Sequence, residues 1–402
     1  MTNLNLIESC EQELSQKFKK HEKIALLNTE KVLKAFSKNQ IALRHFNSST
    51  GYGYGDEGRE VLNNVIADVF KAEKAVCSPS IVSGTHALSL CLYAVLRAGD
   101  TLYSVSGTPY DTLKEVIFGK DNGSLEEFGV KFTSTPLKEN DFDLDEIEKN
   151  LKNFTPKMIY IQRSRGYEWR DAISIEKIKK LTAFLKNIGY NGCIMVDNCY
   201  GEFISEEEPI EAGANLLAGS MIKNIGGGIA PTGGYVAGDK KYVDKVLNRL
   251  TTPSIAGEVG SYAYGYQYYF QGLFLAPHVV LQAVKSSLLF GAVLSKLGYE
   301  TSPNLNSEPC DIIRAIKFND KEKLIKFVQN IQKNSPIDSH VTVFPWDMPG
   351  YEDEVIMAAG CFVQGSSIEL SADAPIKPPY IAYLQGGLTY EHCKIALNNM
   401  KL

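Results

Sequence analysis

The sequence predicts a mainly parallel α/β protein with a larger and a smaller domain. Three observations carry that prediction. Short apolar, strand-like runs at residues 101–105, 158–161 and 194–196 alternate with amphipathic helical patterns, which is how a parallel sheet covered on both faces is built. The chain has 402 residues, more than one ordinary hydrophobic core accommodates. A long apolar run at residues 276–297 then separates this alternation from further strand-like runs at 311–316, 355–358 and 367–370.

Taken in order, residues 1–50 read as an N-terminal helical arm with an extended stretch. Residues 51–275 read as the large domain, and residues 276–402 as a connecting helix followed by a small α/β domain. The connecting helix is expected to begin near Pro277, where a first-turn proline is tolerated. Gly53-Tyr54-Gly55-Asp56-Glu57-Gly58 matches a dinucleotide-binding glycine pattern. Its context argues against that use, since a polar stretch precedes it, two acids would face a pyrophosphate, and no strand-end acid follows at the required distance. The tyrosines at 262, 264, 266, 268 and 269 read as core or interface packing.

Composition narrows the function. A formal net charge of −5 argues against a nucleic-acid binder, which needs a basic footprint. The first 38 residues are rich in Glu, Lys and Gln with no apolar signal-peptide core, and no run reads as long enough to span a membrane. A cytoplasmic protein with a small-molecule partner is therefore expected. Eight cysteines and six histidines are scattered without metal spacing, so the cysteines read as reduced core residues and no metal site is expected.

The chemistry is concentrated in three strings. Gly219-Ser220-Met221-Ile222-Lys223-Asn224 and the glycines that follow present one lysine between a serine and a flexible backbone, as a lysine held in a Schiff base to pyridoxal 5'-phosphate (PLP) requires. Asp197 ends the apolar run Cys193-Ile194-Met195-Val196, and an acid at a strand's carboxyl end faces a ligand crevice. There it would keep a pyridine nitrogen protonated. Ser83-Gly84-Thr85-His86 opens a helical pattern and offers hydroxyls and free N–H groups to a phosphate. Each string has a plainer reading, as surface lysine, loop acid or ordinary N-cap. Ser220 and Lys223 also fit a serine-nucleophile motif, but its downstream Lys-Thr-Gly is absent from the sequence.

Taken together with Gly51-Tyr52-Gly53-Tyr54-Gly55-Asp56, Ile161-Gln162-Arg163-Ser164-Arg165-Gly166-Tyr167 and Tyr383-Leu384-Gln385-Gly386-Gly387-Leu388, these strings resemble the fold-type I PLP enzymes of cysteine and methionine metabolism. The branch they are most similar to is called methionine γ-lyase-like or aluminium resistance protein and is related to the cystathionine lyases. The resemblance covers nearly the whole chain from about residue 40 and implies the aspartate aminotransferase fold. It implies that Lys223 forms the Schiff base, Asp197 pairs with the ring nitrogen, and Ser83, Gly84, Thr85 and Ser220 hold the phosphate. Tyr54 would reach a neighbouring subunit's site in a homodimer or homotetramer and protonate the leaving group. Arg59 is the accompanying cation, and Tyr110 a ring-stacking or core aromatic.

The chain departs from the lyases at the substrate end, where residues 381–384 lack their carboxylate-binding arginine. Arg163, Arg165 or Lys377 is the expected substitute, though a lysine lacks the bidentate fork. The implied activity is PLP-dependent carbon–sulfur bond elimination from a sulfur-containing amino acid, with a lysine whose pKa is lowered by desolvation and nearby positive charge. An aldolase- or transaminase-type PLP reaction, or a non-catalytic PLP-binding stress-resistance protein, are the alternatives.

Overall fold

The computed structural model describes residues 4–400. The chain runs α1 (Leu4–Lys38), α2 (Glu57–Val69), β1 (Lys74–Ser78), α3 (Gly84–Val95), β2 (Thr101–Ser104), α4 (Asp111–Phe118), β3 (Lys131–Ser134), α5 (Leu144–Asn153), β4 (Met158–Gln162), α6 (Ile175–Asn187), β5 (Cys193–Asp197), β6 (Leu216–Ser220) and β7 (Gly234–Gly238). It continues through α7 (Lys240–Leu250), α8 (Gln267–Lys296), β8 (Glu300–Ser302), β9 (Arg314–Lys317), α9 (Lys321–Lys333), β10 (Val355–Ala358), β11 (Ser371–Pro375), β12 (Ile381–Gln385) and α10 (Tyr390–Asn399).

The large sheet has seven strands in the order β1-β7-β6-β5-β4-β2-β3. From β6 to β3 the pairings are parallel. Strand β7 runs antiparallel to both β6 and β1, because the short connection after β6 contains no crossover helix and reverses the chain. Strands β4 and β5 are buried along their whole length, which explains their uninterrupted apolar reading. Gln162 pairs with Asp197, and Asp197 with Ala218, so the carboxyl ends of β4, β5 and β6 lie side by side.

The small sheet is antiparallel throughout, ordered β10-β11-β12-β9-β8. The strand expected at 367–370 begins instead at Ser371. In the stretch before it, the Glu369 carboxylate accepts the backbone N–H groups of Phe362 and Val363, both at 2.9 Å, and local turn bonding replaces a ladder.

Helix α8 ties the two sheets together. It starts at Gln267 and holds Pro277 in its interior, not at its beginning as the sequence suggested. It also corrects the membrane reading, for it is long and apolar enough to cross a bilayer by length and composition. Its apolarity is that of a core helix, since 67% of the relevant window is buried inside the fold. Helix α1 lies against it, and Ile7, Cys10, Leu14 and Phe18 join the apolar cluster that runs on through α8. The eight cysteines are free, seven of them buried.

Candidate active site

A cavity of about 520 Å³ lies between the two sheets. Its floor is the row of strand ends on the large sheet. Ser83 caps α3, its Oγ accepting the His86 N–H at 3.0 Å, so the first turn leaves N–H groups at Gly84 and Thr85 without helical partners. A Cβ on Gly84 would sit 3.2 Å from Cys199 Sγ and 3.4 Å from Ser220 Cβ, so the helix start is seated tightly on β5 and β6. The Thr85 hydroxyl lies 2.9 Å from the Tyr110 hydroxyl, which tethers that ring to the same helix start. Ser83, Gly84, Thr85, Tyr110, Asp197, Ser220 and Lys223 all line this one cavity.

Lys223 follows β6 in the turn that reverses the chain, and its Nζ lies 3.9 Å above the Tyr200 ring. Burial opposes its charge, but Cys199, Tyr200, Asp197 and Tyr110 outweigh it and hold the lysine well above its ordinary pKa. The lowered lysine expected from sequence is thus reversed, because its neighbours among the protein's own groups are a thiol, phenols and a carboxylate, with no cation among them. Asp197 accepts the Cys199 N–H at 3.1 Å and faces the Tyr160 hydroxyl at 3.5 Å. Burial raises its pKa despite the pull of Lys223. A buried carboxylate in this state favours a cationic N–H as its partner, so the donor set fits a protonated pyridine ring.

The glycine run after Lys223 serves packing. A Cβ on Gly227, at φ +57°, would meet the Gly272 carbonyl of α8 at 2.4 Å. One on Gly228 would meet Leu388 at 2.3 Å. Gly227 fixes the lysine turn against α8 and Gly228 against Leu388, and neither lines the cavity.

The expected arginines separate cleanly. Arg163 is fully buried away from the cavity, donating to the Ile173 and Gly201 carbonyls and to Asn198 Oδ1, 3.9 Å from Glu208. It is a structural clamp between β4 and the chain after β5, and its substrate-binding assignment is corrected. Arg165, two residues on, lines the cavity. Its Nη1 donates to Ser302 and its Nε stands 4.0 Å from the buried Asp311 carboxylate, while Nε and Nη2 are buried without a hydrogen-bond partner. Lys377 stands at the rim, paired with Asp353 at 2.6 Å.

Two further expectations move. Arg59 lies outside the cavity lining, its guanidinium donating to the carbonyls of Gly53, Glu258 and Gly260, so within this chain it holds the glycine-tyrosine loop. Tyr54 is 67% exposed and also outside the cavity lining. Sequence reasoning missed Cys199, Tyr200 and Asp373. Burial and the Asp197 charge push the Cys199 thiol well up, so it is a neutral filler and not a nucleophile.

This architecture is that of the fold-type I PLP-dependent enzymes. The PLP-dependent protein YhfS from Escherichia coli superposes with a TM-score of 0.62 over 94% of this chain and 95% of that one at 17% identity. A family model described as methionine gamma-lyase matches residues 3–401, and the chain belongs to that family. It is 50% identical to a carbon-sulfur lyase involved in aluminum resistance from Clostridium novyi NT, with a TM-score of 0.94 over 98% of this chain and 94% of that one. Uncharacterized protein YnbB of Bacillus subtilis (strain 168) is 48% identical over 383 residues, 94% of this chain and 91% of that protein. The family and these relatives imply PLP as cofactor.

Proposed function

We propose that this protein is a PLP-dependent carbon–sulfur lyase acting on a sulfur-containing amino acid, cystathionine-, cysteine- or methionine-like, by β- or γ-elimination. The observation that carries the reading is the meeting of Lys223, Asp197, the α3 start and Ser220 in one cavity with Arg165, two of whose guanidinium nitrogens have no hydrogen-bond partner. Bound there, PLP supplies a Schiff-base-forming aldehyde and an electron-withdrawing ring.

The chain's own groups do the rest. The α3 N–H groups with Ser83, Thr85 and Ser220 hold the phosphate, Asp197 keeps the ring nitrogen protonated, and Tyr110 presents its ring. The planar fork of Arg165 takes the substrate carboxylate. Lys223 would hold the cofactor, and its Nζ, as a neutral amine, would take the Cα proton of the substrate. Loss of the Cα proton would expel a thiolate from Cβ, and loss of a further proton from Cβ would expel one from Cγ.

The protonating group is Tyr54 from a second copy of the chain, in a homodimer or a pair of dimers. The exposed Tyr52 and Tyr54, their rings 5.7 Å apart, support this as an aromatic patch offered to a partner. A cytoplasmic location suits a small-molecule metabolic enzyme of this kind.

Incubation of the PLP-loaded protein with a panel of amino acids tests the reading. Paired release of a thiol and a keto acid is expected from sulfur-containing members alone. Amino-group transfer without thiol release, or cofactor binding with no turnover of any member, contradicts it.

A further inference from the structure

The charged residues around the cavity nearly all have a partner, and the exception defines a specificity site. Four acids line it: Asp111, Glu168, Asp197 and Asp373. Asp111 pairs with Lys114 at 2.8 Å, and Glu168 with Arg170 at 2.8 Å. Asp197 and Asp373 have no ion-pair partner within 4.0 Å among the described residues. Of the lining cations, Lys114 and Lys377 are paired with acids, and Arg165 stands 4.0 Å from the buried Asp311 with two of its nitrogens still free of hydrogen bonds, which leaves Lys223 without an acid partner. Cofactor attachment takes Lys223, the ring nitrogen takes Asp197, and the substrate carboxylate takes Arg165. Asp373 alone remains without an assigned counter-charge.

Its placement is built into the small sheet. Ser371 pairs with Gln385 and Asp373 with Tyr383 across β11 and β12. Alternation along a strand puts these four side chains on one face, and all four line the cavity. The intervening Ala372, Ala374, Ala382 and Leu384 turn into the apolar core. Gln385 Nε2 donates to Asp373 Oδ2 at 3.0 Å, fixing the carboxylate and leaving its other oxygen open to the cavity.

Burial pushes the Asp373 pKa up to about 6, against the pull of Gln385 and Lys223. It therefore stays mostly ionised at neutral pH. Tyr167 and Tyr351, with ring centroids 5.9 Å apart, stand near it. Burial and then the Asp373 charge raise both phenols, so neither offers a counter-charge.

We propose that Asp373 selects amino-acid substrates that carry a second cationic group, an amine on the part of the side chain beyond the sulfur, over neutral thioethers. This rests on the lyase reading for its substrate class, but the cation site itself is independent of bond cleavage. A charge-assisted hydrogen bond in such a setting is worth roughly tenfold or more in affinity.

Calorimetric binding to the PLP-loaded protein tests it with two sulfur-free ligands, L-lysine and its uncharged counterpart L-2-aminoheptanoate. The wild type is expected to favour lysine by about tenfold or more, and Asp373→Asn to bring the ratio near one, with the loss falling on lysine. No preference in the wild type, a preference that survives in Asp373→Asn, or an equal loss for both ligands overturns the inference. The wild-type ratio decides the matter even if the variant does not fold. The matching sulfur pair, S-(2-aminoethyl)-L-cysteine and S-propyl-L-cysteine, is then assayed for thiol release. A binding preference for lysine without thiol release from either compound supports the cation site and contradicts the lyase reading.

Discussion

On the large-sheet side of the cavity, Ser83, Asp197 and Ser220 stand at strand ends or in the turn that follows a strand, and Lys223 occupies the turn after β6. On the opposite side, Asp373 and Gln385 project from one face of two antiparallel strands that meet through pairing of distant segments. The first wall is built from backbone: helix N–H groups, strand termini and a tight turn locked by Gly227 against α8. The second is built from side chains on an alternating surface, where one residue changes without disturbing the backbone pairing of the strands. A cofactor common to many reactions is met by the first kind of wall, and a particular substrate by the second.

The largest effect is expected on the cofactor wall. Asp197→Asn should keep the fold yet lower turnover by about 10- to 1,000-fold, because a neighbouring charge shifts a pKa by 1–3 units. Wild-type rates in that variant would place the ring partner elsewhere. Tyr54→Phe should lose about 100-fold, the scale of a general acid. Mixed dimers with Lys223→Ala should regain activity that neither homodimer has, since one of their sites receives both wild-type residues. A Tyr54→Phe protein with full activity removes the shared site.

The two arginines sharpen the contrast between structure and recognition. Arg165→Leu should cost about 10- to 100-fold in kcat/KM, mainly through KM, as expected for lost charged hydrogen bonds. Arg163→Leu should instead destabilise the fold by roughly 3–5 kcal/mol, because Glu208 is left as a buried unpaired charge. Equal kinetic effects with equal melting temperatures would erase the distinction.

A pH-dependent effect concerns Glu202, buried beneath the lysine turn and accepting the Tyr235 hydroxyl at 2.8 Å. Burial raises its pKa from 4.5 to about 8. The native state keeps a proton that the unfolded chain releases across this window, so the contribution to stability is present below pH 4.5 and lost as pH rises through 8. Glu202→Gln should flatten that decline, which is at most about 1.4 kcal/mol per pH unit. Denaturant titrations of both proteins at pH 5, 6.5 and 8 would check it, and an unchanged slope contradicts it.

These walls also differ in how much of them the sequence discloses. Lys223, Asp197 and the Ser83-Gly84-Thr85 string were readable because local order puts a strand end before a helix or turn. Asp373 was not, since Ser371-Ala372-Asp373 is unremarkable until its pairing with β12 decides which face it shows. Arg163 and Arg165 look alike in one short string, and only tertiary packing turns one into a clamp away from the cavity and sets the other in its lining. The glycines after Lys223 were noticed and their partner misjudged, because α8 lies far along the chain. Strand β1, with Lys74 and Ala75, and β7, with two glycines, have weak intrinsic strand preference and are made by their mutual pairing.

The central claim is that Lys223 is the covalent anchor of the cofactor wall. Reconstitution with PLP, reduction with borohydride and peptide mapping test it most directly. A reduced adduct on Lys223, lost in Lys223→Ala, is the predicted result. An adduct on any other lysine, or none after reconstitution, contradicts the account.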